Sequence, residues 1–119
     1  MATRQTDPSG YLPLTPAVLH VLLALADEDR HGYGIMQEIE RRTNGSFRPG
    51  SGTLYGTIKR LLASRLIEES GERPDPEIDD ERRRYYRMTP LGSRAVRAEA
   101  QRLAGAVLAA RTKLAGENI

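Results

Sequence analysis

The sequence predicts a mainly α-helical fold with a small β-hairpin and one long helix at the C-terminus. Two observations lead to this prediction. Apolar residues recur at helical spacing in three segments between residues 16 and 62, and again from residue 90 to about 114. Between these regions, two short runs of alternating polar and apolar or aromatic residues are typical of strands. Three helices followed by a two-stranded hairpin is the order of elements in a winged helix-turn-helix domain.

Length and composition limit the chain to one domain with a modest core. It has 119 residues, of which 39% are hydrophobic and 29% are charged. Cysteine is absent, which excludes disulfides and thiolate metal sites and fits a cytoplasmic location. The N-terminus is polar and lacks a signal-peptide pattern, so we expect a disordered arm over residues 1–11. The longest apolar run, residues 17–26, is too short to span a bilayer.

The first two helices have recognisable start and stop signals. Thr15 followed by Pro16 predicts a helix start, with threonine as the N-cap and proline in the first turn. The helix that follows, to about residue 26, is apolar nearly all round, and we therefore expect it at the centre of the fold. After a turn, residues 31–34 open the second helix, and the Asn-Gly pair at residues 44–45 ends it.

The third helix, which we expect to begin with Ser51 as its N-cap, has two dissimilar faces. One face has the apolar spacing of a buried surface, at Leu54, Ile58, Leu61 and Leu62. The opposite face is small, uncharged or positive, and it consists of Gly52, Thr53, Gly56, Lys59, Arg60 and Ala63. Small residues allow a backbone to approach a DNA groove closely, and cations meet phosphate. The alternative interpretation is an ordinary amphipathic surface helix.

The net charge of +2 conceals an uneven distribution of charge along the chain. Residues 41–67 contain six basic side chains and no acidic one, whereas residues 68–81 contain eight acidic side chains and one basic one. The basic zone overlaps the third helix, and this overlap is the electrostatic footprint expected of a protein that binds a polyanion. The alternative is a solvated charged surface without a partner.

The predicted hairpin, or wing, joins strands at residues 66–70 and 84–89 through a long charged loop. Three consecutive basic residues, Arg82, Arg83 and Arg84, stand where the second strand begins. They are interpreted either as phosphate contacts made by the wing or as partners of the acidic residues just before them. Because the tip of the loop is acidic, we expect the arginines rather than the tip to face DNA.

The C-terminal helix carries an apolar seam with heptad-like spacing. A second Thr-Pro pair opens this helix, and residues 90–115 are expected to act in dimerisation, after a DNA-binding domain over residues 12–89. The seam consists of Val96, Ala100, Leu103, Val107, Ala110 and Leu114. A second copy of the chain is the expected partner, and packing onto the chain's own core is the alternative. Two recognition helices on a two-fold axis would bind a pseudo-palindromic operator in double-stranded DNA.

Four motifs occur in a family-specific order. They are HGYGI at residues 31–35, RPGSGTLY at residues 48–55, LIE at residues 66–68, and RRRYYRMT at residues 82–89 followed by Gly92. In these motifs the chain resembles the PadR-type winged-helix transcriptional regulators, in the short class with a single C-terminal dimerisation helix. The resemblance covers roughly residues 12–115, which is nearly the whole chain.

The resemblance implies a homodimeric repressor that leaves its operator when a small ligand binds or a signal changes. The DNA contacts that it implies are Ser51, Gly52, Thr53, Tyr55 and Lys59 from the third helix, Arg82, Arg83 and Arg84 from the wing, and Tyr33 in support of a phosphate contact. Tyr55 is interpreted equally as a packing residue, and for Tyr33 a place in the core is the favoured interpretation. Some relatives bind flat aromatic drugs between tryptophans, and this chain has no tryptophan.

The sequence indicates neither an enzyme nor a metal or cofactor site. The only histidines, His20 and His31, are interpreted as packing or capping residues, and no nucleophile and base are spaced as a catalytic set. A second hypothesis is a ligand-sensing or protein-interaction module that keeps the winged-helix scaffold without binding DNA. Its motivation is the acidic loop tip and the modest net charge.

Overall fold

A computed structural model describes residues 7–72 and 84–116 of the chain, without the side chain of residue 72. Four α-helices and a small antiparallel sheet confirm the predicted fold class. After a 3-10 helix at Pro8–Tyr11, the elements are α1 (Pro16–Ala24), β1 (Arg30–His31), α2 (Gly32–Arg42), α3 (Ser51–Ala63), β2 (Ile67–Glu72), β3 (Arg84–Met88) and α4 (Pro90–Lys113). In the described residues, no helix combines the length and the apolar character that crossing a membrane requires.

Side-chain caps set the start of three of the four α-helices. Thr15 Oγ1 accepts a hydrogen bond from the Val18 N–H, and Thr89 Oγ1 accepts one from the Gly92 N–H. His31 Nδ1 does the same for the Gly34 N–H at 2.8 Å. Helix α3 differs, because its N-cap is Gly50, which has no side chain to accept a bond. The prediction of Ser51 as that cap is therefore wrong, and Ser51 is the first residue of the helix.

The predicted hairpin is present, and a third strand is added to it. The strand order is β1-β3-β2, with both pairs antiparallel. The two-residue strand β1 lies where the sequence predicts the end of a turn and the start of the second helix. Two residues are too few to show the alternation that identifies a strand. Arg30 holds this segment in place: its Nε donates to the Ala24 carbonyl at 2.7 Å, and its guanidinium pairs with Asp27 and Glu28.

The core lies between α1, α2, α3, the sheet and the first turns of α4. Its largest fully buried apolar side chains are Val21, Leu22, Ile35, Ile39, Leu54, Ile58 and Ile67. Among the residues that the structure describes, the buried side chains that carry a polar or charged group are those of Thr57 and Glu99, apart from the phenol of Tyr86. A buried polar group lowers stability unless it is hydrogen-bonded, and the side chains of Thr57 and Glu99 both form hydrogen bonds.

The N-terminal segment corrects the prediction of a disordered arm over residues 1–11. Residues 1–6 lie outside the described residues, but residues 7–11 are ordered. Asp7 caps the 3-10 helix by accepting from the Ser9 N–H at 2.9 Å, and the Tyr11 hydroxyl donates to the Ser64 carbonyl at 3.4 Å. The prediction fails for residues 7–11 because the Tyr11 contact joins residues 53 positions apart in sequence, which composition alone does not indicate.

Glu99 anchors the segment that leads into α1. Its carboxylate accepts hydrogen bonds from the Leu14 N–H at 3.2 Å and from Arg102 Nε and Nη2 at 2.6 and 3.0 Å. The hydrogen bond from Arg102, the charge of Arg102 and the bond from Leu14 hold the pKa of Glu99 below its ordinary value, although burial acts in the opposite direction. The carboxylate is therefore ionised in the folded chain at neutral pH.

We expect Glu99→Gln to destabilise the fold at neutral pH and to do so much less in acid. A carboxyl group with a lowered folded pKa contributes stability above its unfolded pKa of about 4.3, and this contribution is lost as the pH falls through the folded value. Urea unfolding at neutral pH and below about pH 4 measures the difference between the variant and the wild type. The control is Glu68→Gln, which breaks an exposed ion pair with Arg87 and should change little. An equal difference at both pH values would contradict the prediction.

Candidate nucleic-acid interface

Helix α3 presents one face to the core and the other to solvent. Leu54, Ile58 and Leu61 are buried, as predicted, and Leu62 is half-buried. The predicted outward face is also confirmed as accessible: Gly52, Thr53, Lys59, Arg60 and Ala63 are exposed, together with Ser51, and Gly56 is half-exposed. Thr57, which was assigned to neither face in the sequence, is fully buried in the structure.

The centre of the outward face of α3 is almost bare backbone. A Cβ atom built on Gly52 would meet no atom within 4 Å, and one built on Gly56 would meet only the Arg60 guanidinium, at 3.7 Å from Nη1. Packing inside the protein therefore does not require glycine at either position. A helix surface without side chains at its centre can approach the floor of the major groove more closely than an ordinary one.

The cations of the predicted basic zone are not equally available. Arg41 and Arg42 pair with Glu38, and Arg48 lies 3.6 Å from Glu40. In contrast, no carboxylate of the described residues lies within 4 Å of the nitrogens of Lys59 or Arg60. The sequence count of basic residues therefore overstates the positive charge available to a polyanion, which in the described residues of this zone lies on Lys59 and Arg60 of α3 and on Arg65 just after it.

The wing is described only in part. Arg84 is exposed at the start of β3, whereas Arg82 and Arg83 lie outside the described residues, as does the proposed pairing with the acids before them. Arg87, three residues further along β3, forms a hydrogen-bonded ion pair with Glu68 at 2.7 Å, and this bond raises the pKa of Arg87. Of the described wing arginines, Arg87 is thus held in an ion pair, and a phosphate contact of Arg84 stays a prediction.

Two tyrosines have different environments from each other. Tyr33 is 45% exposed, so the interpretation of Tyr33 as a core residue is wrong. Its ring lies beside that of His31 at the start of α2. Tyr55 is half-buried against the core. Its hydroxyl oxygen would be only 2.4 Å from a Cβ atom built on Gly32, so the ring packs directly against the start of α2. Tyr55 is therefore a packing residue between α2 and α3, and a contact of the same side chain with DNA stays a prediction.

The loop that leads into α3 is fixed by an aromatic and polar cluster. The ring of His20 on α1 stacks on Phe47 with a centroid distance of 4.7 Å. Arg42 on α2 lies with Nη1 3.0 Å from His20 Nδ1 and donates through Nη2 to the His20 carbonyl. Burial, and then the charge of Arg42, lower the pKa of His20, so the neutral ring can accept from Arg42. The cluster therefore connects α1, α2 and the loop that leads into α3.

Thr57 is the residue of this interface that sequence reasoning missed. Its hydroxyl donates to the Thr53 carbonyl at 2.8 Å and accepts from Arg60 Nη2 at 3.2 Å. The side chain lies on the core side of α3 while its oxygen reaches the edge of the outward face. The available signal was a hydroxyl residue three positions before an arginine, at the boundary of the apolar face.

Comparison with known proteins agrees with this geometry. A family model described as the transcriptional regulator PadR-like family matches residues 19–98. The chain belongs to the PadR-like family of transcriptional regulators. The match begins within α1 and includes α2, α3, the wing and the first turns of α4. The family consists of regulators and not of enzymes, as the sequence predicts.

Individual relatives of this PadR-like chain show the same relationship. The transcriptional regulator Rv3488 of Mycobacterium tuberculosis is 38% identical over 101 residues, which are 82% of this chain and 88% of that protein. An uncharacterised protein of Lysinibacillus sphaericus is 41% identical over 73 residues, 60% of this chain, and the match spans 63% of its length. The crystal structure of a PadR family transcription regulator from Clostridium difficile R20291 superposes with a TM-score of 0.67 at 22% identity, over 84% of this chain and 99% of that one. At this identity the superposition shows the fold alone.

The C-terminal helix of this PadR-like regulator extends beyond its own core. Ala95 and Glu99 face the core, and Val96 is half-buried against it, so the alternative of packing inside the chain holds at Val96. Further along, Leu103, Val107 and Leu114 are 38%, 49% and 46% exposed, Ala100 is exposed, and Ala110 is half-buried. Most of the predicted seam is thus an apolar surface that the described part of the chain leaves open to solvent.

An open groove separates the end of α3 from the start of α4. It has a volume of about 810 Å³, with Tyr11 at its rim and with Arg65, Glu69 and Arg94 among its polar lining residues. The end of α3 and the start of the long helix α4 both contribute to its walls. In the described residues, no group of three or more histidine, aspartate and glutamate side chains is arranged to hold a metal ion.

Proposed function

We propose that the chain is a homodimeric, sequence-specific DNA-binding regulator of transcription acting in the cytoplasm. The observation that carries this proposal is the outward face of α3, where bare backbone at Gly52 and Gly56 is flanked by the cations Lys59 and Arg60. Such a surface would fit the major groove, and Ser51 and Thr53 near the helix start would then contact base edges. Arg84, with Arg82 and Arg83, would contact the phosphate backbone from the wing.

The exposed apolar seam of α4 supports the proposed dimer. Leu103 and Val107 face solvent at the middle of a helix of which the described core covers only the first turns. A second α4, related by a two-fold axis, would cover both seams at once. The same axis would place two α3 helices on successive major grooves, so the operator would be pseudo-palindromic.

The finer proposal is a repressor that releases DNA when a small ligand binds or a signal changes. The groove between α3 and α4 supports it, because an occupant there would contact both the DNA-facing helix and the dimerisation helix. No aromatic sandwich between tryptophans is proposed, because the chain has none.

The proposal is tested by fluorescence anisotropy with the purified full chain. Labelled duplexes tiling the promoter of its own gene are titrated at two salt concentrations. We expect saturable binding to one tile that weakens strongly with salt, with much weaker binding to the neighbouring tiles. The alternative hypothesis is a ligand-sensing or protein-interaction module that does not bind DNA, and the pairing of Arg41 and Arg42 with Glu38 favours it. This hypothesis predicts no salt-sensitive association with any duplex. Absence of binding on every tile, and on duplexes selected from a random library, would refute the DNA-binding proposal.

Lys59→Ala is expected to weaken operator binding and to reduce its salt dependence. If each Lys59 neutralises one phosphate, the slope of log K against log salt should fall in magnitude by about 1 for each protomer. Arg97→Ala is the matched control, because it removes one exposed positive charge from α4, away from α3. Its slope should equal that of the wild type. An unchanged slope for Lys59→Ala would show that Lys59 does not contact phosphate.

A further inference from the structure

Thr57 is a polar residue in a place where the rest of α3 is apolar. Its side chain is fully buried, between the core residues Leu54, Ile58 and Leu61 of the same helix. Valine has nearly the same shape and would fill this position without a polar atom. The hydroxyl therefore needs an explanation beyond packing, because a threonine bond to its own helix carbonyl does not by itself favour the helix.

The second partner of the hydroxyl gives that explanation. While Thr57 Oγ1 donates to the Thr53 carbonyl at 2.8 Å, its lone pair accepts from Arg60 Nη2 at 3.2 Å. The oxygen is thus oriented by the helix backbone, and its acceptor side is turned towards the guanidinium. Arg60 Nη1 lies 3.7 Å from the position of a Cβ on Gly56, so the guanidinium rests over the one residue of that turn without a side chain.

This arrangement sets the direction of Arg60. Side chains on a helix lean towards its N-terminus, and the bond to Thr57 holds the guanidinium one turn closer to the start of α3 than its own Cα. The guanidinium thus lies over the middle of α3, on the side of Arg60 that leads to the helix start, and the N-terminal part of a recognition helix is the part that contacts base edges. An arginine has five N–H donors, so one bond to Thr57 leaves enough donors for a bidentate contact with the O6 and N7 atoms of a guanine.

We propose that Thr57 is a positioning residue for DNA recognition, which holds the Arg60 guanidinium over Gly56 so that Arg60 selects a guanine in the operator. The inference rests on the proposed DNA-binding function. It assigns Arg60 to base selection rather than to a general phosphate contact, and it assigns the buried hydroxyl to the orientation of Arg60. Pre-orientation matters because a free arginine must lose side-chain entropy when it binds.

The experiment measures duplex affinity for three single variants, Thr57→Val, Thr57→Ser and Arg60→Ala. It also measures the affinity of the double variant that combines Thr57→Val with Arg60→Ala. The probes are a duplex that the wild-type protein selects from a random library and a shuffled duplex of the same composition. Urea unfolding first verifies that each variant is folded, and Thr57→Ala provides a second variant without the hydroxyl. We expect Thr57→Val to lose about five- to tenfold in affinity for the selected duplex, and more than it loses on the shuffled one. Thr57→Ser keeps the hydroxyl and should therefore keep most of the wild-type affinity for the selected duplex.

The double variant decides whether Thr57 acts through Arg60. If it does, Thr57→Val should have no further effect once Arg60 is alanine, and selection repeated with Thr57→Val should relax the preference at one base pair of each half-site. The inference is overturned if Thr57→Val binds the selected duplex as the wild type does, or if it costs the same with and without Arg60. If the wild type selects no sequence at all, the proposed function itself fails, and this result is distinguishable because it precedes any variant.

Discussion

Gly92→Ala is expected to lower the free energy of unfolding by about 3 kcal/mol or more, which is a large part of the stability of a small domain. A Cβ on Gly92 would lie 2.2 Å from the carbonyl oxygen of Leu66 and 2.9 Å from Cγ of Met88. The methionine side chain could move aside at low cost. The carbonyl oxygen could not, because it belongs to the backbone of the turn between α3 and β2.

That turn is tied to the start of α4 by several hydrogen bonds. The Thr89 N–H donates to the Leu66 carbonyl at 3.1 Å, and the Thr89 hydroxyl donates to the Arg65 carbonyl at 2.7 Å. The Gly92 N–H in turn donates to the Thr89 hydroxyl. Relief of the clash would separate α4 from the turn and break these bonds, so the strain cannot be removed by a small local shift.

Urea unfolding at one fixed protein concentration measures the effect, since the stability of a dimer depends on concentration. Gly52→Ala is the matched control, because it adds the same methyl group to an exposed helical glycine with no atom within 4 Å. Its stability should stay within about 1 kcal/mol of the wild type. A Gly92→Ala variant as stable as this control would show that α4 can move away from the turn without loss.

The parts of the fold that sequence predicts correctly depend on neighbouring residues. The Thr-Pro pairs at Thr15 and Thr89 start helices in the structure, and Asn44 and Gly45, both with positive φ, follow the end of α2. The two faces of α3 are also correct, because helical spacing alone decides which residues share a side. Each of these signals lies within one or two turns of the chain.

The errors and omissions concern contacts between distant parts of the chain. Tyr11 bonds to Ser64 and Leu14 bonds to Glu99, so the segment expected to be disordered up to residue 11 is partly fixed by residues far along the sequence. Strand β1 exists only because β3 lies beside it. Arg41 and Arg42 pair with Glu38, so the basic zone has less unpaired positive charge than the sequence count suggests. The count began at residue 41 and therefore did not include Glu38.

The sequence predicts which residues of α3 are exposed at the candidate interface, but it does not predict how Thr57 and Arg60 interact there. Lys59 and Arg60 could be assigned to the outward face from their spacing, and the structure leaves both exposed. The role of Thr57 could not be assigned, because its spacing places it at the boundary and only the hydrogen bond to Arg60 distinguishes it from a filler of the core. Tyr33 was misplaced for a similar reason: aromatic residues near a helix start are suited to both environments.

Leu103→Asp is expected to convert the proposed dimer into folded monomers and to reduce operator affinity by about 100-fold or more. Leu103 is 38% exposed in the isolated chain and lies in the middle of the seam, outside the core, so the aspartate should not unfold the winged-helix domain. In the proposed dimer, however, the two-fold axis would bring two carboxylates into one apolar interface, where burial and mutual repulsion both oppose association.

Sedimentation equilibrium should therefore give the 13.2 kDa mass of one chain for this variant and twice that mass for the wild type. Gln101→Asp adds the same charge to an exposed position of α4 off the seam, and it should leave both the mass and the affinity unchanged. A variant that stays dimeric would place the interface on another surface. A monomer that keeps full affinity would mean that one α3 is sufficient for recognition, and the pseudo-palindromic operator would then have no physical basis. The two results separate assembly from DNA recognition because the seam and the outward face of α3 share no residue.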